Sequence, residues 1–128
     1  MIYLDSSVAL ARLFREPRSP PVLFWTQPLV SSRLLGYEVW NRIHAYGLAD
    51  SHGDETRGLL SGIELMELAD PVLARALAPF PVPARTLDAL HLATIEFIRG
   101  TGEAVELASY DNRLIAAALA LDIPVAAL

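Results

Sequence analysis

The chain has no cysteine and no lysine. Without cysteine there is no disulfide scaffold, no thiolate zinc site and no thiol nucleophile. Without lysine there is no Walker-type phosphate loop, no Schiff-base chemistry and no receiver-type phosphoacceptor, which pairs strand-end aspartates with a lysine. Long apolar runs are missing too. The longest, Leu114–Leu121, has eight residues, against the roughly 18 that a membrane-spanning helix needs. The first residues carry no basic stretch followed by a leader-like apolar run, so a cytoplasmic protein without membrane attachment is expected. Bulk positive charge is also absent. Ten arginines face fifteen acids, a net −5, which is the wrong sign for gripping nucleic acid by overall electrostatics.

What is present suits one compact domain over residues 1–128. The chain is 53% apolar and 20% charged with a mean hydropathy of +0.36, which excludes disorder as its main state. A chain of this length can bury roughly two-thirds of the surface its unfolded form exposes. No repeat, low-complexity tract or internal boundary interrupts it.

Met1–Leu4 reads as a buried strand ending in Asp5, followed by a helix from Ser6 to about Phe14. Pro17, Pro20 and Pro21 interrupt, and Val22–Thr26 reads as a short second helix, then Leu29–Ser32 as a strand. Leu35, Val39, Ile43 and Tyr46 make the apolar stripe of a helix ending near Gly47. Asp50–Gly53 reads as a linking turn, Asp54–Met66 as a helix, Glu67–Ala69 as a third strand and Pro71–Leu77 as a helix entered through proline. A stiff segment with Pro79, Pro81 and Pro83 leads into Arg85–Ile98, the most hydrophobic helix. Ala104–Ser109 is a strand, Asn112–Ala120 a helix and Pro124–Ala127 a last short strand. This alternation predicts an α/β fold with a parallel sheet covered by helices on both faces.

In such sheets ligands bind beyond the carboxyl ends of the strands. Two strand candidates end in an aspartate, Asp5 and Asp111; if the strands are neighbours, the two side chains converge, although each could simply cap the helix it precedes. Asp88 lies in a helix apolar nearly all round, where an unpaired carboxylate needs a cation, a donor network, a raised pKa or a salt bridge to Arg85. Glu38 sits beside its helix's apolar stripe, with Arg42 one turn on as the ordinary partner. Four carboxylates drawn to one edge repel strongly, and divalent cations make such a cluster tolerable; all-oxygen ligands favour Mg²⁺ or Mn²⁺. The matching chemistry is metal-assisted phosphodiester hydrolysis. His91 is one turn from Asp88 and could touch the surroundings of the site, but the reading favoured over that is a hydrogen-bonded core histidine. His44 and His52 lack zinc spacing. Ser6 and Ser109 read as caps or as hydroxyls around the site.

The order of these blocks resembles a known family. Met1-Ile2-Tyr3-Leu4-Asp5-Ser6-Ser7, a helical Glu38, Arg85-Thr86-Leu87-Asp88-Ala89-Leu90-His91-Leu92-Ala93 and Ser109-Tyr110-Asp111-Asn112-Arg113-Leu114 are similar to the PIN-domain ribonucleases, most closely the VapC toxins of prokaryotic toxin–antitoxin pairs. The likeness runs from Met1 to nearly Leu128. It implies a single PIN-like domain and a Mg²⁺- or Mn²⁺-dependent endoribonuclease with Asp5, Glu38, Asp88 and Asp111 as its acidic quartet. It also implies a homodimer, a toxin–antitoxin hetero-oligomer, and inhibition by a cognate antitoxin whose C-terminal segment lies along the toxin groove. Two other readings stand beside it. One is a PIN nuclease of RNA processing outside toxin–antitoxin biology; the other is a non-catalytic PIN-like binding module. Finally, the apolar segment from Pro20 to Trp25 is expected to present Phe24 and Trp25 as interface anchors, unless it is a well-buried helix.

Overall fold

A computed structural model describes all residues, 1–128. Four parallel strands form the sheet: β1 (Ile2–Leu4), β2 (Leu29–Ser32), β3 (Glu64–Met66) and β4 (Glu106–Ala108), in spatial order β3-β2-β1-β4. Six helices accompany them: α1 (Ser6–Leu13), α2 (Leu34–Ala45), α3 (Ala49–Ser61), α4 (Asp70–Leu77), α5 (Thr86–Gly100) and α6 (Asn112–Ala120). The expected α/β fold with a parallel sheet is the observed one. No helix is long and apolar enough to cross a membrane.

β1 is central, with Ile2 and Tyr3 in register with Leu29 and Val30 on one side, and Ile2, Tyr3 and Leu4 with Glu106, Leu107 and Ala108 on the other. Buried on both faces, it is apolar throughout, as a central parallel strand must be. Alternation along the strand then splits the core in two. Ile2 and Leu4 pack with Val8, Leu13, Leu35, Val39 and Ile43 beneath α1 and α2. Tyr3 and Val30 pack with Leu92, Ile95, Leu107 and Leu114 beneath α5 and α6. The chain steps outward from β1 to β2 to β3 and then crosses to β4 on the far side of β1. The strand order therefore switches between β1 and β4, where an open parallel sheet leaves a crevice beyond its carboxyl ends.

Several expected boundaries move. Asp50–Gly53 is not a turn but the first turns of α3, where Asp50 complements the helix dipole and Gly53 is buried. The turn lies earlier, at Gly47, whose φ of +64° lets the Gly47 and Leu48 N–H groups bond back to His44 and Ile43. α3 ends at Ser61, and the third strand is Glu64–Met66 rather than Glu67–Ala69. Leu59, Ile63 and Met66 keep a helical spacing across the break, so periodicity hides it; Glu64–Met66 instead pairs with Val30–Ser32. Pro124–Ala127 contributes only one bridge, Val125 to Leu107, because Pro124 has no N–H to extend a ladder.

Val22–Thr26 forms a 3-10 helix. Phe24 is buried in the core under α1 and Trp25 is half-buried, with the Arg12 guanidinium 4.5 Å from its ring centroid. The exposed apolar residues are Val22 and Leu23, at 83% and 77%. Of the aromatic pair expected at an interface, Phe24 belongs to the core, while Trp25 packs against it and stays half-exposed.

Candidate active site

Beyond the carboxyl ends of the strands lies a cleft of about 790 Å³. Asp5, Glu38, Asp88 and Asp111 all line it. They come from four places: the end of β1, the second turn of α2, the first turn of α5 and the start of α6. The tertiary structure thus gathers on one cleft the four acids that are scattered over 107 positions of sequence. No three carboxylate or imidazole side chains already converge tightly enough to form a closed ion site.

Capping and lining the cleft turn out to be one role for two of these acids. Asp5 caps α1, its Oδ2 accepting the Ser7 N–H at 3.4 Å, the Ser7 hydroxyl at 2.6 Å and the Ser109 hydroxyl at 2.8 Å. Asp111 caps α6 through Oδ1, which accepts the N–H groups of Arg113 and Leu114 at 2.9 and 3.3 Å. In each case one oxygen is committed to the helix start, and no protein donor reaches the other. The serines are themselves fixed: the Tyr110 N–H donates to Ser7 Oγ and the Asp111 N–H to Ser109 Oγ, both at 2.9 Å. Ser109 was readable as a hydroxyl around the site. Ser7 was not, because nothing in sequence tells which hydroxyl of Ser6-Ser7 faces the strand end.

Asp88 is half-buried at the cleft wall rather than enclosed by its helix, and it forms no ion pair with Arg85. Its carboxyl is pushed above the ordinary aspartate range, first by burial and then by the charges of Asp111 and Asp5; Arg113 and the Arg85 backbone N–H pull the other way. Glu38 does not pair with Arg42. Its Oε1 lies 2.5 Å from Nε2 of His91, and the Ser6 hydroxyl donates to Oε2 at 3.4 Å. Tyr3, an apolar strand residue by pattern, places its hydroxyl 2.7 Å from His91 Nδ1. Sequence reading missed Tyr3; the available signal was a hydroxyl-bearing ring in an otherwise aliphatic strand.

A family model described as PIN domain matches residues 2–120. The chain belongs to the PIN-domain family. Within it, the relatives are of the VapC type. Ribonuclease VapC47 of Mycobacterium tuberculosis (strain CDC 1551 / Oshkosh) is 30% identical over 122 residues, covering 90% of this chain and 88% of its own length. Ribonuclease VapC46 of Mycobacterium tuberculosis (strain ATCC 25618 / H37Rv) is 36% identical over 129 residues, covering 98% and 96%. Ribonuclease VapC35 of the same species is 34% identical over 134 residues, covering 99% and 96%. A solved toxin-antitoxin complex from Klebsiella pneumoniae has a chain that superposes with a TM-score of 0.65 at 18% identity, over 91% of each chain, and so shares the fold.

The donor set of this PIN cleft fits a hard divalent cation. Its four acids offer oxygen ligands, two of them aspartates each with an oxygen that takes no protein hydrogen bond, and a third whose burial and neighbours of like charge disfavour its ionised form; the one imidazole at the cleft, His91, already has its Nε2 on Glu38. Arg18, Arg42, Arg85 and Arg113 line the same cleft, setting positive groups suited to phosphate around an acidic floor.

Proposed function

We propose that this PIN protein is an endoribonuclease that hydrolyses RNA phosphodiester bonds with Mg²⁺ or Mn²⁺ as cofactor, and that it is the toxin of a toxin–antitoxin pair. The observation that carries the proposal is the meeting of Asp5, Glu38, Asp88 and Asp111 on one cleft at the strand-order switch. The ribonuclease names of its relatives and the toxin-antitoxin neighbour support it.

Asp5, Glu38, Asp88 and Asp111 are the residues that would hold the cation. When bound, such an ion acidifies a water and offsets charge on the phosphate. The remaining work falls to the chain. Asp5 and Asp111 each keep one oxygen for the ligand while the other secures a helix start. The cleft arginines contact successive phosphates, which compensates locally for the net charge of −5. The protein works in the cytoplasm as a homodimer, and a cognate antitoxin silences it by laying a segment along the cleft in place of RNA.

The deciding experiment incubates purified protein with single-stranded RNA in Mn²⁺, in Mg²⁺ and in EDTA, beside Asp111→Asn. Cleavage that needs the ion and falls by orders of magnitude in the variant is the expected result. Cleavage unchanged by EDTA, or none with either ion, overturns the reading. Inhibition by a small protein encoded beside this one tests the toxin assignment.

A further inference from the structure

His91 is 1% exposed, on the face of α5 turned to the sheet. Most positions around it on that face are aliphatic: Leu92, Ile95 and Ile98. An imidazole costs desolvation there unless both nitrogens find partners, and both do. Nε2 meets Glu38 Oε1 at 2.5 Å and Nδ1 meets the Tyr3 hydroxyl at 2.7 Å. The Tyr3 ring stands edge-on to the imidazole, centroids 5.8 Å apart and planes at 79°. The three residues come from α5, α2 and β1: α2 packs on the Ile2/Leu4 face of the sheet and α5 on the Tyr3 face, so the contacts join helices from the two sides.

The direction of the hydrogen bonds follows from the partners. An ionised Glu38 can only accept, so the Nε2–H donates to it. In the neutral imidazole Nδ1 is left with a lone pair, which the Tyr3 hydroxyl fills. Tyr3 is fully buried, and burial drives its hydroxyl far above the ordinary tyrosine pKa, so it keeps the proton it donates. A glutamate on a helix surface has three rotatable bonds and, with Arg42 unpaired to it, no other strong anchor. The second contact, from Ser6 at 3.4 Å, is long.

We propose that His91, with its ring orientation set by Tyr3, is a positioning residue that fixes the Glu38 carboxylate in the acidic cleft. The proposal rests on the ribonuclease reading above, since it gives Glu38 a place in that site. It differs from a packing role in a way that can be measured. A residue that merely fills the core is replaceable by leucine without consequence for the folded protein's chemistry; a residue that aims a carboxylate is replaceable only by another donor.

The test uses His91→Leu, His91→Gln and Tyr3→Phe in the full chain. The readouts are melting temperature, Mn²⁺ affinity by calorimetry, and kcat and KM on a single-stranded RNA oligonucleotide. His91→Leu is expected to weaken Mn²⁺ binding and lower kcat by roughly 10- to 100-fold, as loss of a partner behind a metal ligand does, with KM for RNA within about twofold. His91→Gln, whose amide N–H reaches toward Glu38, recovers most of the loss. Tyr3→Phe loses less than His91→Leu. A nitrogen-edited spectrum of the wild type should also show a protected His91 Nε2–H that disappears in Glu38→Ala.

An active wild type whose His91→Leu form keeps its Mn²⁺ affinity and kcat overturns the inference. So does a His91→Gln form that is no better than His91→Leu although both melt cooperatively. If His91→Leu does not fold, the Gln and Phe variants decide by the same readouts. A wild type that neither binds Mn²⁺ nor cleaves RNA overturns instead the functional reading beneath it.

Discussion

Ser109 donates its hydroxyl to Asp5 Oδ2 at 2.8 Å, joining the carboxyl ends of β1 and β4 across 104 residues of chain. The bond lies at the switch in strand order and fixes the orientation of a carboxylate that is 6% exposed. It also separates two substitutions that look alike. Asp5→Asn keeps a carbonyl oxygen for Ser7 and Ser109 and should fold as the wild type does, while RNA cleavage falls by orders of magnitude. Asp5→Ala abandons both hydroxyls and the cap of α1, and should lose a further 0.5–2 kcal/mol or so of stability. Urea unfolding of the two variants, run beside RNA cleavage, checks the pair.

Asp88 gives the pH dependence. Its pKa is raised in the folded protein, so the folded chain holds a proton that the unfolded chain releases. The stability attached to that proton is present below the ordinary aspartate pKa and is lost as pH rises through the raised value. Above that raised value the charged Asp88 works against the fold, and there Asp88→Asn should melt at or above wild type in EDTA. The difference should shrink as the pH approaches about 4. Mn²⁺ at ten times its Kd should return about 1.4 kcal/mol to the wild type and less to the variant. Melting curves with and without Mn²⁺ at several pH values test both halves; an Asp88→Asn protein markedly less stable in EDTA would contradict them.

The arginines of the cleft predict a salt dependence. Each phosphate contact to single-stranded RNA contributes about 0.7 to the slope of log affinity against log salt. Replacing Arg85 and Arg113 together by alanine should lower that slope by about 1.4, raise KM and leave the melting temperature nearly unchanged. Binding measured by fluorescence anisotropy over a salt series gives the slope directly. An unchanged slope would remove both residues from the RNA path.

Neighbouring positions in the 3-10 helix should behave oppositely. Phe24→Ala empties a core position and should destabilise the protein by about 3–5 kcal/mol. Leu23→Ser alters a residue that is 77% exposed and should stay within about 0.5 kcal/mol. If the proposed dimer uses this surface, Leu23→Ser should weaken association, read by sedimentation velocity, with no loss of stability. Equal thermal effects of the two changes would contradict the burial described above.

The α/β alternation, the parallel sheet and the presence of four acids that come to line one cleft were legible in the linear chain, whereas the last strand expected at Pro124–Ala127 is a single bridge. Apolar runs that end in Asp5 and Asp111, and a carboxylate in the apolar helix around Asp88, are local signals that survive without knowledge of the fold. The break between α3 and β3 was not legible, because Leu59, Ile63 and Met66 satisfy a helical period that strand pairing with β2 then overrides. Phe24 and Leu23 are equally apolar in sequence, and only packing under α1 divides core from surface. The partners of the acids were the least legible of all. Arg42 and Arg85 are the neighbours that sequence offers to Glu38 and Asp88, yet Glu38 binds His91 from another helix and Asp88 feels Asp111 and Asp5 from other elements. Residue type and local spacing determine which chemistry a chain can carry, since they act over one or two turns. Which groups meet is decided by the topology of the sheet, because hydrogen bonds and charges act over a few ångströms in space whatever the separation along the chain.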